Sequence, residues 1–295
     1  MSGPQAGKLS GVLAPIATPF DPRTGAIDPG KLQFNIRRLL ADGLIGIVVA
    51  GSTGEAPLLD AAEQRALVDA ARVAVPTDRW LLVGTGAEST RAAVALTRDA
   101  HRAGADAVLV RPPGYFSNAV TPATLADYFR AVADDGGLPV FVYNIPKYTR
   151  VALGADLIAQ LTAHERIVGV KDSSGDINVL ASYRTAAPGW SALVGSGSLL
   201  YQALELGCDG GICGVACYAA RACADLFAAF RKGDTAGARA LQERIGPLDK
   251  EIVGKLGPAG IKAAMDAVGL SGGPVRAPLA PLSDADRKRV KELVG

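Results

Sequence analysis

Histidine is scarce in this chain, with two among 295 residues. His101 and His164 stand in helix-like segments far apart in sequence, so a histidine-centred catalytic site is not expected. Cysteine is limited to Cys208, Cys213, Cys217 and Cys223, and no C-x-x-C pair occurs among them. That argues against a zinc site. It suits small buried apolar side chains in a reducing compartment. Aromatic residues make up 5% of the chain, too few for an aromatic-lined groove. The net charge is +2, which gives no electrostatic footprint for nucleic acid. The densest charged run, "DRKRVKE", alternates in sign and reads as a solvated helix face. No apolar stretch reaches the about 18 residues that a membrane span needs. The opening "MSGPQAGKLS" lacks the apolar core of a secretory signal, so a cytoplasmic protein without a membrane partner is expected. No G-x-G-x-x-G follows the first apolar run, and no cofactor or metal is expected.

Glycine is plentiful (35), and 49% of residues are hydrophobic. Short apolar runs recur at Val12–Ile16, Ile45–Ala50, Trp80–Val83, Ala107–Val110, Pro139–Tyr143, Ile167–Lys171, Ala192–Val194 and Gly211–Cys213. They begin roughly 20 to 35 residues apart, the spacing of βα units. Most are continuous rather than alternating, which fits strands buried on both faces of a parallel sheet.

Helical patterns fill the gaps. Asp60 with Glu63 three residues later is close to a capping box, and Ser89 reads as an N-cap with Gly104 just past the helix end. Thr121 precedes Pro122 at a first helical position. The pattern predicts a (β/α)8 TIM barrel, with a doubly wound open sheet as the alternative. Beyond about residue 220 the strand signal stops. Residues 1–230 are expected to form the catalytic barrel, and 231–295 a helical region packed on it, its helices separated by Gly-Pro breaks.

In such barrels the chemistry lies at the C-terminal strand ends. Those positions carry "GSTGE" (Gly51–Glu55), "RPPGYF" (Arg111–Phe116), "YNIP" (Tyr143–Pro146), Lys171 in "IVGVKDSSGD", and "GSGS" (Gly195–Ser198). No carboxylate pair, metal triad or Ser-His-Asp set emerges. A lysine ending a buried strand is unusual, because burial penalises an ammonium group. Lys171 has two readings: a salt bridge to Asp172 or another acid, or a neutral amine that attacks a ketone to form a Schiff base. "GSTGE" is either a plain turn or a cradle of hydroxyls and N–H groups for a small carboxylate. "GSGS" is either a turn with an N-cap or an anion site. Tyr143 is either a satisfied core tyrosine or a proton relay, and Tyr115 a packing residue in a stiff loop or part of the site.

"GSTGE", "YNIP" and "GVKDSSG", in this order at the ends of strands two, five and six, resemble the dihydrodipicolinate synthase / N-acetylneuraminate lyase family. The likeness runs from "GVLAPIATPF" to "GGPVRAPLAPLS". It implies a class I mechanism through a lysine imine with pyruvate or another 2-oxo acid, and a homotetramer built as a dimer of dimers. On this resemblance Lys171 matches the Schiff-base lysine and Tyr143 the proton-relay tyrosine. Ser52 matches the relay hydroxyl, and Thr53 its neighbour at the pyruvate carboxylate. Tyr115 matches the tyrosine inserted from the adjacent subunit. Ile212 falls by the pyruvate pocket, with Gly195 and Ser196 beside it.

The departures bear on substrate. Tyr148 stands where the synthase has an arginine for its aldehyde substrate, and Gly114 replaces the first of two paired tyrosines. Gly197 and Ser198 stand where the sialic acid lyase has acids. "LLVGTGAEST", "GADAVLV", "KDSSGD", "VGSGSLL" and "GGPVRAPL" resemble the 4-hydroxy-2-oxoglutarate aldolase branch, although that branch often has Asn at the position of Thr53. A second substrate carboxylate would need a cation, and Arg111 and Arg150 are the nearest in sequence. The expectation is a lyase that cleaves a 4-hydroxy-2-oxo acid such as 4-hydroxy-2-oxoglutarate to pyruvate and an aldehyde. The alternatives are a synthase condensing pyruvate with aspartate semialdehyde, a 2-keto-3-deoxy sugar acid aldolase or dehydratase, and a barrel that binds a 2-oxo acid without turnover.

Overall fold

All eight apolar runs form strands in the computed structural model, which describes residues 8–295. Residues 1–7, part of the stretch on which the expectation of no secretory signal rests, lie outside the described residues. The strands are β1 (Gly11–Pro15), β2 (Gly46–Val49), β3 (Trp80–Gly84), β4 (Ala107–Val110), β5 (Val140–Asn144), β6 (Ile167–Asp172), β7 (Ser191–Val194) and β8 (Gly210–Ile212). Each pairs in parallel with its neighbours, and β8 closes on β1 with Gly11 opposite Gly210. The result is a (β/α)8 barrel, not the open sheet.

Side-chain alternation divides each strand between two cores. Leu13, Val48, Leu82, Leu109, Phe141, Tyr143, Leu193 and Ile212 fill the barrel interior. Their sequence neighbours, such as Val12, Val49, Val83, Val110, Val142, Val170 and Val194, face the surrounding helices.

The connecting helices are α1 (Pro29–Ala41), α2 (Ala61–Ala74), α3 (Thr90–Arg102), α4 (Pro122–Gly136), α5 (Pro146–Thr149), α6 (Ala155–Leu161), α7 (Ile177–Ala186), α8 (Leu200–Glu205) and α9 (Ala220–Arg231). Their starts follow the expected chemistry. The Asp60 side chain accepts from the Glu63 N–H while Glu63 reaches back to the Asp60 N–H. Ser89 caps α3, and Thr121 caps α4 with Pro122 at its first turn. No helix among the described residues is long and apolar enough to cross a membrane.

The C-terminal region contributes α10 (Thr235–Leu248), α11 (Lys255–Ala267) and α12 (Asp284–Val294). Gly246-Pro247 lies within the first expected helical stretch and does not end it: the pair sits inside α10, and the chain runs on through a wider π-helical turn over Asp249–Gly254. Pro247 cannot donate to the carbonyl one turn back, and a wider turn is one way a helix continues past such a gap. Gly257-Pro258 does break the path, because Gly257 adopts φ 57° within α11.

The region is fastened to the barrel mouth by charge. Lys262, on α11 and 1% exposed, lies 2.5 Å from Glu55 Oε1 and donates to the Pro274 carbonyl at 2.6 Å. Arg276 donates its backbone N–H to Glu55 at 2.8 Å and clamps Glu63 with two guanidinium bonds of 2.6 and 2.7 Å. Both cations lie against the Phe20 ring, at 4.3 and 4.2 Å from its centroid.

Candidate active site

Register sets the geometry of the barrel mouth. Tyr143 on β5 pairs with Lys171 on β6, and Lys171 with Leu193 on β7, so all three point inward at one level. One residue further, Asn144 pairs with Asp172 and both point outward. Asp172 therefore does not serve Lys171. Its Oδ1 accepts from the Asn144 amide at 2.6 Å, and its Oδ2 from the Ser174 hydroxyl at 2.6 Å. Burial raises the Asp172 pKa against those hydrogen bonds. The salt-bridge reading of Lys171 is thereby excluded for its sequence neighbour.

Lys171 is 4% exposed. Among the described residues its Nζ forms no ion pair and no hydrogen bond. It lies 4.2 Å from the centroid of the Tyr143 ring. A buried amine without an acid partner is available to react with an electrophile.

The lysine opens into a cavity of about 150 Å3, walled by Ser52, Thr53, Tyr143, Gly195, Ser196 and Ile212. Six of the residues singled out in the sequence thus meet around Lys171. Ser52 and Thr53 arrive on the turn after β2. Ala50 and Glu55 take left-handed backbone there (φ 51° and 59°), and the turn is pinned by the Thr18 hydroxyl, which donates to the Gly54 carbonyl at 2.6 Å. The anchoring of Glu55 by Lys262 and Arg276 offsets the cost of that conformation.

Arg111 and Tyr115 are not brought to this cavity. They line an adjoining groove of about 690 Å3, which shares Ser52, Tyr148 and Pro258 with it and also carries Arg150. The Arg111 guanidinium is committed to Glu88 at 2.9 Å and to the Pro112 carbonyl. Glu88 in turn accepts the N–H groups of Gly114 and Tyr115, each at 2.9 Å. Burial works against the ionised Glu88. The Tyr115 and Gly114 N–H groups and Arg111 outweigh it, and its pKa lies below the usual range. Arg111 thus holds the loop that presents Tyr115, which is 81% exposed and stacked edge-on against the less exposed Phe116.

Three residues of the site escaped the sequence reading. Ser173 donates its hydroxyl to the Tyr143 phenol at 3.3 Å. It stands two after Lys171, so strand alternation already placed it on the same face. A Cβ at Gly195 would lie 1.8 Å from its Oγ, so the turn after β7 needs glycine to make room for Ser173. Lys147, on α5, reaches the cavity rim and donates to the Gly254 carbonyl at 3.1 Å. Asp249, from the π-helical turn, completes the far wall with Val253, Gly257, Pro258 and Ile261. No spacing rule linked that stretch to the barrel mouth.

Cys213, Cys217 and Cys223 are fully buried in the helix-facing core, and burial pushes their thiols upward, Cys217 to about 12. They are not nucleophiles. Among the described residues no three His, Cys, Asp or Glu side chains gather as a metal site.

A parallel barrel with a buried, unpaired lysine at the end of its sixth strand, facing a tyrosine and a hydroxyl-rich turn, defines a class I aldolase-type lyase. The comparisons with known proteins agree. The profile of the dihydrodipicolinate synthetase family matches residues 8–295. The 4-hydroxy-tetrahydrodipicolinate synthase of Methanothrix thermoacetophila is 34% identical over 286 residues, 96% of this chain and 95% of that protein. The 4-hydroxy-tetrahydrodipicolinate synthase 1 of Streptomyces coelicolor is 38% identical over 285 residues, 96% of this chain and 91% of that one. The crystal structure of YagE, a prophage protein of the same family from E. coli K12 in complex with pyruvate, superposes with a TM-score of 0.91 at 30% identity, covering 97% of both chains. The chain belongs to the dihydrodipicolinate synthetase family.

Proposed function

We propose that the protein is a Schiff-base aldolase that reversibly cleaves a 4-hydroxy-2-oxo acid to pyruvate and an aldehyde. The observation that carries this reading is Lys171 itself: buried, without an acid partner, and 4.2 Å from the Tyr143 ring in a small hydroxyl-lined cavity. Its Nζ attacks the C2 ketone, and loss of water leaves an iminium. Thr53 holds the adjacent carboxylate. Tyr143, whose phenol oxygen accepts from Ser173, takes the proton from the C4 hydroxyl as its own phenol proton passes to the relay hydroxyl of Ser52. The C3–C4 electron pair then moves into the iminium, giving an enamine and the free aldehyde. Protonation at C3 and hydrolysis of the imine release pyruvate and restore the amine. YagE supports this use of the cavity, since its structure holds pyruvate.

The synthase reaction is the second reading, favoured by the names of the relatives. Against it, Tyr148 and not a cation stands two residues after Pro146, at the rim of the cavity. The proposal includes assembly as a homotetramer in the cytoplasm. The exposed Tyr115–Phe116 loop at the groove beside Ser52 suits a second copy bringing its own Tyr115 toward the relay. Residues 1–230 serve as the catalytic barrel, and 231–295 as the region that closes its mouth.

Borohydride reduction in the presence of pyruvate tests the chemistry: a stable adduct located on Lys171 is expected. A panel of 4-hydroxy-2-oxo acids assayed for pyruvate release then separates the reactions. An adduct without release from any of them, alongside turnover of pyruvate with aspartate semialdehyde, would replace the aldolase reading with the synthase one.

A further inference from the structure

We propose that Lys262 is a positioning residue for substrate binding: by gripping Glu55 it holds the turn on which Thr53 meets the carboxylate of a 2-oxo acid. The inference rests on the Schiff-base reading and adds to it a residue that does not line the Lys171 cavity.

Glu55 closes that turn. Its N–H donates to the Ser52 carbonyl at 3.1 Å, and the next N–H, of Ala56, donates to the Gly51 carbonyl at 3.2 Å. Ser52 and Thr53, both in the cavity wall, thus sit in a loop that Glu55 shuts. The loop is strained at both ends, since the left-handed backbone of Ala50 and Glu55 is unfavourable for a residue with a Cβ. Contacts from outside therefore decide its shape. The Thr18 hydroxyl pins the loop at Gly54. The Glu55 end is held through its side chain, with Lys262 Nζ at 2.5 Å and the Arg276 N–H at 2.8 Å.

The grip comes from another part of the same cavity wall. Ile261, next to Lys262 on α11, lines the cavity together with Gly257 and Pro258 of that helix. One helix supplies part of the wall and also holds the substrate turn, so the Lys262–Glu55 contact fixes the two relative to each other. The lysine has little freedom to yield. It is 1% exposed, its Nζ also donates to the Pro274 carbonyl at 2.6 Å, and a Cβ at Gly272 would collide with its own carbonyl. Fastening the C-terminal region to the barrel does not require this contact. Asn35 exchanges two hydrogen bonds of 2.8 Å with Ser271, and the Arg276 guanidinium binds Glu63 and the carbonyls of Leu58 and Gly25. Lys262 instead ends on the residue that closes the loop of Ser52 and Thr53.

The experiment traps the full-length enzyme with borohydride in the presence of pyruvate or of hydroxyacetone, a three-carbon ketone without a carboxylate. The concentration of each that gives half-maximal adduct is measured for the wild type, Lys262→Met and the double variant Lys262→Met with Glu55→Gln, alongside the urea midpoint. No adduct with either ketone in the wild type would remove the Schiff-base reading itself, independently of Lys262. With an adduct present, the wild type is expected to need about ten-fold or more less pyruvate than hydroxyacetone. Lys262→Met is expected to raise the pyruvate requirement by about ten-fold or more and to leave that for hydroxyacetone within about two-fold. The double variant is expected to regain part of the urea midpoint and still to bind pyruvate weakly, because the stranded carboxyl is gone but the grip is not restored. It carries the same comparison if the single variant does not fold. Equal trapping of both ketones by the wild type overturns the proposal, since the turn then receives no carboxylate. So does equal weakening for both ketones, an unchanged pyruvate requirement, or recovery of pyruvate binding together with stability in the double variant. Each of these makes Lys262 a fastening alone.

Discussion

Two lysines are buried in this barrel, and they are treated in opposite ways. Lys262, 1% exposed, has a carboxylate at 2.5 Å, a carbonyl at 2.6 Å and the face of Phe20. Lys171, 4% exposed, has the face of Tyr143 and, among the described residues, no acid and no hydrogen-bond acceptor. Burial beside an aromatic ring is common to both, so neither property marks a reactive amine. What separates them is the missing partner. Lys262 is paired with Glu55 and serves as a rivet between the C-terminal region and the turn that carries Ser52 and Thr53. Burial lowers its pKa, and Glu55 pushes back. Lys171 has no acid partner among the described residues.

The contrast is broken most severely at Lys171. Replacing it with arginine keeps a cation of similar reach but abolishes the nucleophile. Turnover is expected to fall by about 10^4-fold or more, and the borohydride adduct to vanish, while the urea midpoint stays near that of the wild type. Residual turnover with an adduct elsewhere would end the mechanism.

The same operation on Lys262 should do the reverse. Lys262→Met strands a buried Glu55 and is expected to cost about 3–5 kcal/mol in stability by urea unfolding. The pair Glu55→Gln with Lys262→Met should recover part of that loss. A single variant as stable as the wild type would refute the rivet.

The aromatic neighbours sharpen the comparison further. Tyr143→Phe preserves the ring against Lys171 and removes only the phenol. About 10^2-fold or more should be lost in kcat, with the pyruvate adduct still forming slowly. An unchanged rate would assign proton transfer elsewhere. The smallest effect belongs to Phe20→Leu, which takes the ring from Lys262 and Arg276. About 1–3 kcal/mol of stability should go, with kcat nearly unaltered.

Much of this site was legible because parallel barrels expose their chemistry at strand ends, where continuous apolar runs give way to polar residues. Tyr143, Lys171, Ser52, Thr53, Gly195 and Ser196 stand at strand ends on that rule, Ile212 came from the family resemblance, and all meet around one cavity. Arg111 satisfied the same rule and still lies outside, because Glu88, one βα unit earlier after β3, captures its guanidinium. Sequence order gives the position of a charge but not its nearest counter-charge. Lys262 and Asp249 were hidden for a related reason. Each sits in a stretch patterned as an ordinary surface helix, and only the path of the chain across the mouth brings it to Glu55 or to the cavity. Reading the stretch through Gly246-Pro247 as ordinary helix gave no sign of the wider turn over Asp249–Gly254.

The cavity wall is drawn from two sources: the strand ends and their turns, which carry Tyr143, Lys171, Ser52 and Thr53, and one unbroken stretch, 249–261, which supplies the far side. On the proposed reaction, making the nucleophilic enamine and choosing its aldehyde would fall to separable pieces of chain. Transplanting residues 249–261 from a relative with a different acceptor should carry that taste along, while the amount of enzyme captured by pyruvate and borohydride stays the same. Diversification of such a barrel then requires no renegotiation of its covalent step.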